Sequence, residues 1–196
     1  MRVFLSGEGP DDLGDWCNDP QYRSNPPRIG VIEALLRNVS KVDFTIVDAR
    51  VWKRIRKFKA GKHAQPETRN VLGLMLEAEE ARCDALVFVR DQDGYADRQA
   101  SIETGILLAN DGDYEPALVG GVAIQEIEAW ILALLGERST ERHADAKAVL
   151  VKRHSITSCA EKVAAVESAD RSKIPEDALS LLTWLAQVDA CFLSRP

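Results

Sequence analysis

The chain has 196 residues, of which 45% are hydrophobic and 29% charged, with a formal net charge of −6. These values belong to a globular chain of one domain, or one domain with an extension, and exclude collagen-like and low-hydrophobicity disordered classes. Cys17, Cys83, Cys159 and Cys191 lack paired spacing, which argues against a zinc site or a disulfide framework and for reduced thiols in the cytoplasm.

The chain opens with a short apolar strand, Val3-Phe4-Leu5. That opening is too short for the apolar core of a signal peptide, and no later apolar run reaches membrane length. A cytoplasmic protein with no membrane segment is expected. Ser6-Gly7-Glu8-Gly9-Pro10-Asp11-Asp12 follows, where glycines on both sides of Glu8 leave room for a ligand near its carboxylate. Asp11 or Asp12 can cap a short helical turn, a role compatible with a functional Glu8. Residues Gly14 to Arg28 break both periodicities and read as a surface loop. A helix is expected over Ile29–Val39 and a second strand over Val42–Val47.

The sharpest charge feature comes next. Between Asp48 and Glu67 there is no acid, while Arg50, Lys53, Arg54, Arg56, Lys57, Lys59 and Lys62 supply seven cations. The remainder of the chain holds 18 basic against 31 acidic residues, a net of −13. Trp52, Ile55 and Phe58 recur every third residue, the pattern of successive helical turns with an apolar seam. Such a run is either a solvated basic face or a phosphate-backbone contact. The second reading predicts buried Trp52, Ile55 and Phe58, with the cations accessible on the same sheet edge as the acids described next.

After a helix over Glu67–Arg82, the run Ala85-Leu-Val-Phe-Val-Arg-Asp91-Gln-Asp93-Gly94 has the composition of a strand buried on both faces. It ends in two carboxylates one residue apart. Ligands of open α/β sheets bind at the carboxyl ends of strands, and adjacent carboxylates there are relieved by Mg²⁺ or Mn²⁺. The plainer alternative is a helix cap at Asp91 and a turn at Asp93-Gly94. A helix over Ala96–Asn110 and a strand over Ala117–Ile124 follow, with Gly120 and Gly121 marking a bulge or a close backbone approach. Then comes Gln125-Glu126-Ile127-Glu128-Ala129-Trp130, the start of another helix. Glu126 and Glu128 flank its apolar stripe on opposite sides, so at most one reaches the strand-end cluster. Ala144–Val151, Cys159–Val166 and Glu176–Phe192 carry apolar residues at helical spacing.

The expected fold is α/β, a mostly parallel sheet with helices on both faces over residues 1–136, with a helical C-terminal extension, residues 137–196, packed on it. Glu8 between glycines after the first strand, and Asp91-x-Asp93 after a later one, resemble the Toprim domain of topoisomerases, primases and OLD-family nucleases. The Gln125-Glu-Ile-Glu128-Ala-Trp130 block is similar to one in short stand-alone bacterial Toprim-like proteins. The resemblance covers roughly Met1 to Gly136. It implies Glu8 as general acid/base and metal contact, Asp91 and Asp93 as the metal-binding pair, and an ATPase as a possible protein partner. No tyrosine stands in a strand-transfer context, which disfavours a topoisomerase.

Two functions are then expected to compete. The first is metal-dependent phosphodiester hydrolysis, with Mg²⁺ or Mn²⁺ held by Asp91 and Asp93 and helped by Glu8 or Glu128. The second is a non-catalytic module that binds nucleic acid or docks a partner through the basic stretch. The first predicts that Glu8, Asp91 and Asp93 lie within about 4–8 Å of one another, with Glu128 nearer to them than Glu126.

Overall fold

The computed structural model describes residues 1–56 and 65–193. Among these residues four strands, β1 (Arg2–Gly7), β2 (Thr45–Val51), β3 (Ala85–Asp91) and β4 (Ala117–Ala123), form one parallel sheet in the order β2-β1-β3-β4. The chain therefore starts near the middle, runs out to one edge, and returns to build the other side. Where such an order reverses, between β1 and β3, the loops splay apart and leave a crevice at the strand carboxyl ends. Glu8 follows one of these two strands and Asp91 ends the other.

Eight α-helices are found among the described residues: α1 (Pro10–Leu13), α2 (Val31–Val39), α3 (Pro66–Glu80), α4 (Ala96–Asn110), α5 (Ile127–Leu134), α6 (Ala146–His154), α7 (Cys159–Glu167) and α8 (Leu179–Leu193). Strand alternation sorts the apolar side chains into two cores. Val3, Leu5, Val87, Val89 and Val119 face α2, α5 and α8, while Phe4, Leu86, Phe88 and Val122 face α3 and α4. Each buried side chain of this size stabilises the fold by about 1.5–3 kcal/mol before entropy is counted. The same alternation governs the site, because Arg90 and Asp91 must leave β3 on opposite faces.

The C-terminal helices share the first of these cores. Trp184 of α8 packs on Trp130 of α5 with ring centroids 5.6 Å apart. It lies so close to β4 that a Cβ at Gly121 would stand 2.8 Å from its ring, so the close approach expected at this glycine is real. Gln187 accepts the outward N–H of Gly120 at 3.1 Å, which helps shield the edge strand.

Two local expectations change. The second strand runs from Thr45 to Val51 rather than from Val42 to Val47, because its pairing with β1 spans Arg2↔Thr45 to Gly7↔Val51, so Arg50 is a strand residue. Trp52–Arg54 forms one 3-10 turn rather than several helical turns. Trp52 and Ile55 are buried as predicted, with Trp52 packed 5.4 Å from the Phe88 ring. Phe58, Lys57, Lys59 and Lys62 lie outside the described residues. Among the described residues no helix is long and apolar enough to cross a membrane.

Candidate functional site at the strand carboxyl ends

Tight packing brings a second acid to Glu8. A Cβ at Gly7 would meet Asp12 at 2.7 Å, so only glycine lets α1 fold back against the end of β1. Asp12 Oδ2 then accepts the Glu8 N–H at 2.6 Å, and Asp12 is only 6% exposed. On the neighbouring strand, Asp91 Oδ1 accepts the Ile127 N–H at 2.8 Å, capping the first turn of α5. That turn also carries Glu128, which is 5% exposed. Glu8, Asp11, Asp12, Asp91, Glu126 and Glu128 thus line one cleft of about 280 Å³, together with Lys147.

Burial and mutual repulsion dominate here. Burial, with Glu128 and Asp11 beside it, pushes the Asp12 carboxyl up to about 7. Burial, then Asp12, Glu128 and Asp93, push Asp91 up to about 8, against the lowering effect of the Ile127 amide. The opposing charge is Lys162 of α7, 1% exposed, whose Nζ donates to Asp11 at 2.5 Å and to Glu128 at 2.6 Å. Burial alone would lower this ammonium, but its two carboxylate partners outweigh that and raise it. Glu128 belongs to the cleft through Asp12, Asp91 and Lys162. Glu126 instead turns its carboxylate to the Lys147 N–H at 2.6 Å, docking the start of α6. Both glutamates thus line the cleft, against the expectation that at most one would reach it, and Glu128 is the one whose charge bears on Asp12 and Asp91.

The other face of β3 carries a different chemistry. Arg90 leaves the strand towards α3, with its guanidinium 5.7 Å from the Trp52 ring. Its Nη1 contacts Glu8 Oε1 and lies 3.7 Å from Asp93 Oδ2. Arg98 of α4 donates to the Asp91 carbonyl at 2.7 Å and to Asp93 Oδ2 at 2.6 Å, and its Nε lies 3.3 Å from Glu67. Asp93 separates from Asp91 because the chain turns at once: Asp93 and Gly94 have φ of 51° and 72°. Its carboxylate therefore serves the arginines. Glu8 stands at the boundary, lining the acidic cleft while its carboxylate accepts the Asp91 N–H at 3.2 Å and meets Arg90.

Of the acids singled out in the sequence, then, Glu8, Asp91, Glu126 and Glu128 line the cleft, and Asp93 sits on the arginine side. Sequence reasoning gave Asp12 only a capping role and missed Arg90, Arg98, Glu67 and Lys162. Arg90 and Asp12 were detectable as neighbours of the motif acids. Nothing in the local sequence pointed to Lys162. The oxygen-only donor set suits a hard divalent cation. Among the described residues no three such side chains are arranged to hold an ion as they stand, since Glu8 is turned to Arg90 and Glu128 to Lys162.

The described part of the basic stretch, Arg50 to Arg56, lies at the same carboxyl edge, because β2 is parallel to β3, but two of its cations are answered. Arg50 Nε donates to the buried Glu77 at 2.5 Å. Arg56 donates its N–H to Glu77 at 2.9 Å and its guanidinium to Glu80 at 2.7 Å. Lys53 and Arg54 are exposed.

Fold and site together define an α/β protein of the doubly wound type with an acidic cleft at its switch point. Comparison with family models, curated proteins and solved structures finds no match.

Proposed function

We propose that the protein is a divalent-cation-dependent phosphodiesterase acting on nucleic acid, as its Toprim-like motifs imply. One observation carries the reading. Asp12, just after β1, and Asp91, at the end of β3, are buried in one cleft with further carboxylates, and burial first, then these acidic neighbours, raises both carboxyls towards neutrality. Structural carboxylates are normally paired and depressed, whereas strongly perturbed acids in a cleft mark functional sites. Mg²⁺ or Mn²⁺ would be held by Asp91 and Asp12 with Glu128 or Glu8, in place of the Asp91–Asp93 pair. The cation would supply positive charge at a phosphoryl oxygen and lower the pKa of a nearby water. Lys162 holds Glu128 and Asp11 in place, and the Ile127 N–H holds Asp91. Glu8 is the acid best placed to take a proton, as the most accessible carboxylate bordering both the cleft and the arginines. Exposed Lys53 and Arg54 would guide a polyanion along the edge of the sheet.

A screen of single- and double-stranded DNA and RNA with Mg²⁺ or Mn²⁺, run beside Asp91→Asn, tests this reading. Cation-dependent cleavage that Asp91→Asn abolishes supports it. No cleavage of any substrate, with metal-independent and steeply salt-dependent binding, supports the non-catalytic module instead.

A further inference from the structure

Arg90 sits among three carboxylates, Glu8, Glu67 and Asp93, yet one of its donors is left without a hydrogen bond among the described residues. Its side chain is 11% exposed, and its Nε is buried without a hydrogen bond, 3.7 Å from Glu67 Oε1. Arg98 beside it is a like charge, and burial together with Arg98 depresses the Arg90 guanidinium. Arg98 pins the turn after β3 with its Nη1, through the carbonyls of Asp91 and Gln92 and through Asp93. Arg90 makes its close contact with Glu8, a side chain 30% exposed that also borders the acidic cleft. An unsatisfied guanidinium donor beside a part-exposed carboxylate, itself held among the described residues only by the Asp91 N–H at 3.2 Å, is a fork without its matching acceptor pair. A phosphoryl group supplies two acceptors in that geometry, and a single carboxylate oxygen does not.

From this arrangement we infer that Arg90 is the phosphate-binding residue of the site, and that Glu8 occupies it as an internal competitor. When a phosphoryl oxygen takes Arg90, Glu8 loses its counter-ion and turns to the acidic cleft. Substrate binding thereby completes the carboxylate set that the resting protein leaves divided. The inference deepens the phosphodiesterase reading and rests on it for the role of the released Glu8. The binding of phosphate itself does not depend on turnover.

The test titrates inorganic phosphate, and separately an oligothymidylate, into the full chain by calorimetry and by tryptophan fluorescence. Arg90→Lys should weaken phosphate binding at least tenfold, because an ammonium offers no fork. Glu8→Gln should tighten it about tenfold by removing the competitor. Glu126→Gln deletes an equal charge from the same cleft without touching Arg90, and should change affinity less than twofold. The fluorescence response should vanish in Trp52→Phe, since Trp52 is the ring beneath Arg90. Competition between oligothymidylate and phosphate would assign the site to the nucleic-acid backbone, and phosphate binding without it to a free phosphate or monoester. Equal tightening by Glu8→Gln and Glu126→Gln would reduce the effect to general electrostatics and overturn the competitor role. Unchanged affinity in Arg90→Lys, with its fold retained by circular dichroism, would overturn the phosphate role. Absence of cleavage with this binding pattern intact would remove the phosphodiesterase reading alone.

Discussion

The basic stretch and the acidic cleft are opposites in sequence and in space. Seven cations crowd the segment between Asp48 and Glu67, yet Arg50 and Arg56 find Glu77 and Glu80 waiting on α3. The acids of the cleft are scattered from Glu8 to Glu128, yet they converge, and within the cleft the buried Lys162 is their main counter-charge. Linear charge density therefore misjudges where electrostatic energy is stored. Like charges close in sequence are free to splay onto different partners. Like charges at neighbouring strand ends are held together by the sheet and cannot separate.

The largest effect that would break this contrast is on Lys162. Lys162→Met should destabilise the protein by about 3–5 kcal/mol, because it strands Glu128 in a buried site. Adding Glu128→Gln should restore more than half of that loss in chemical denaturation; simple additivity of the two changes would show that the pair is not coupled. Arg50→Met comes next. It leaves the Glu77 carboxylate with only the Arg56 N–H, and should cost about 1–3 kcal/mol by the same measurement.

A pH series separates the two regions further. Asp91 and Asp12 titrate higher in the folded chain than in the unfolded one, so between the ordinary carboxyl range and pH 8 the folded state holds extra protons. Their contribution to stability therefore falls as pH rises. Asp91→Asn keeps the acceptor for the Ile127 N–H and removes the charge. It should be more stable than the wild type by about 1–2 kcal/mol at pH 8, raising Tm by roughly 3–6 °C, with the gap closing towards pH 5. A gap independent of pH would contradict the raised titration of Asp91. The smallest effect concerns nucleic-acid binding. Lys53→Ala and Arg54→Ala should each flatten the salt dependence by up to about 0.9 in slope, whereas Arg56→Ala, already paired to Glu80, should leave it unchanged. Equal slopes for all three variants would mean that pairing on α3 does not withhold a cation.

Much of the fold was legible because period-two and helical patterns reflect burial directly. The Ala96–Asn110 helix and the Ala85–Asp91 strand stand where those patterns put them. The second strand ran past its apolar stretch because pairing with β1, rather than side-chain burial, carries Asp48 to Val51. Glu8, Asp91 and Glu128 could be recognised from their places after strands. Asp93 misled because one left-handed residue breaks the alternation that would have kept it beside Asp91. Lys162 could not be foreseen: it sits 34 residues from Glu128, and only the packing of α7 against α2 and α5 carries it into the cleft.

Direct binding of Mn²⁺ by calorimetry near pH 7, in buffers of different ionisation enthalpy, tests the central claim that the cleft is a cation site. The account predicts binding that expels about one proton per ion, as Asp12 and Asp91 give up theirs, and that Asp91→Asn weakens sharply. Binding without proton release, binding that Asp91→Asn leaves intact, or no binding at all would contradict it.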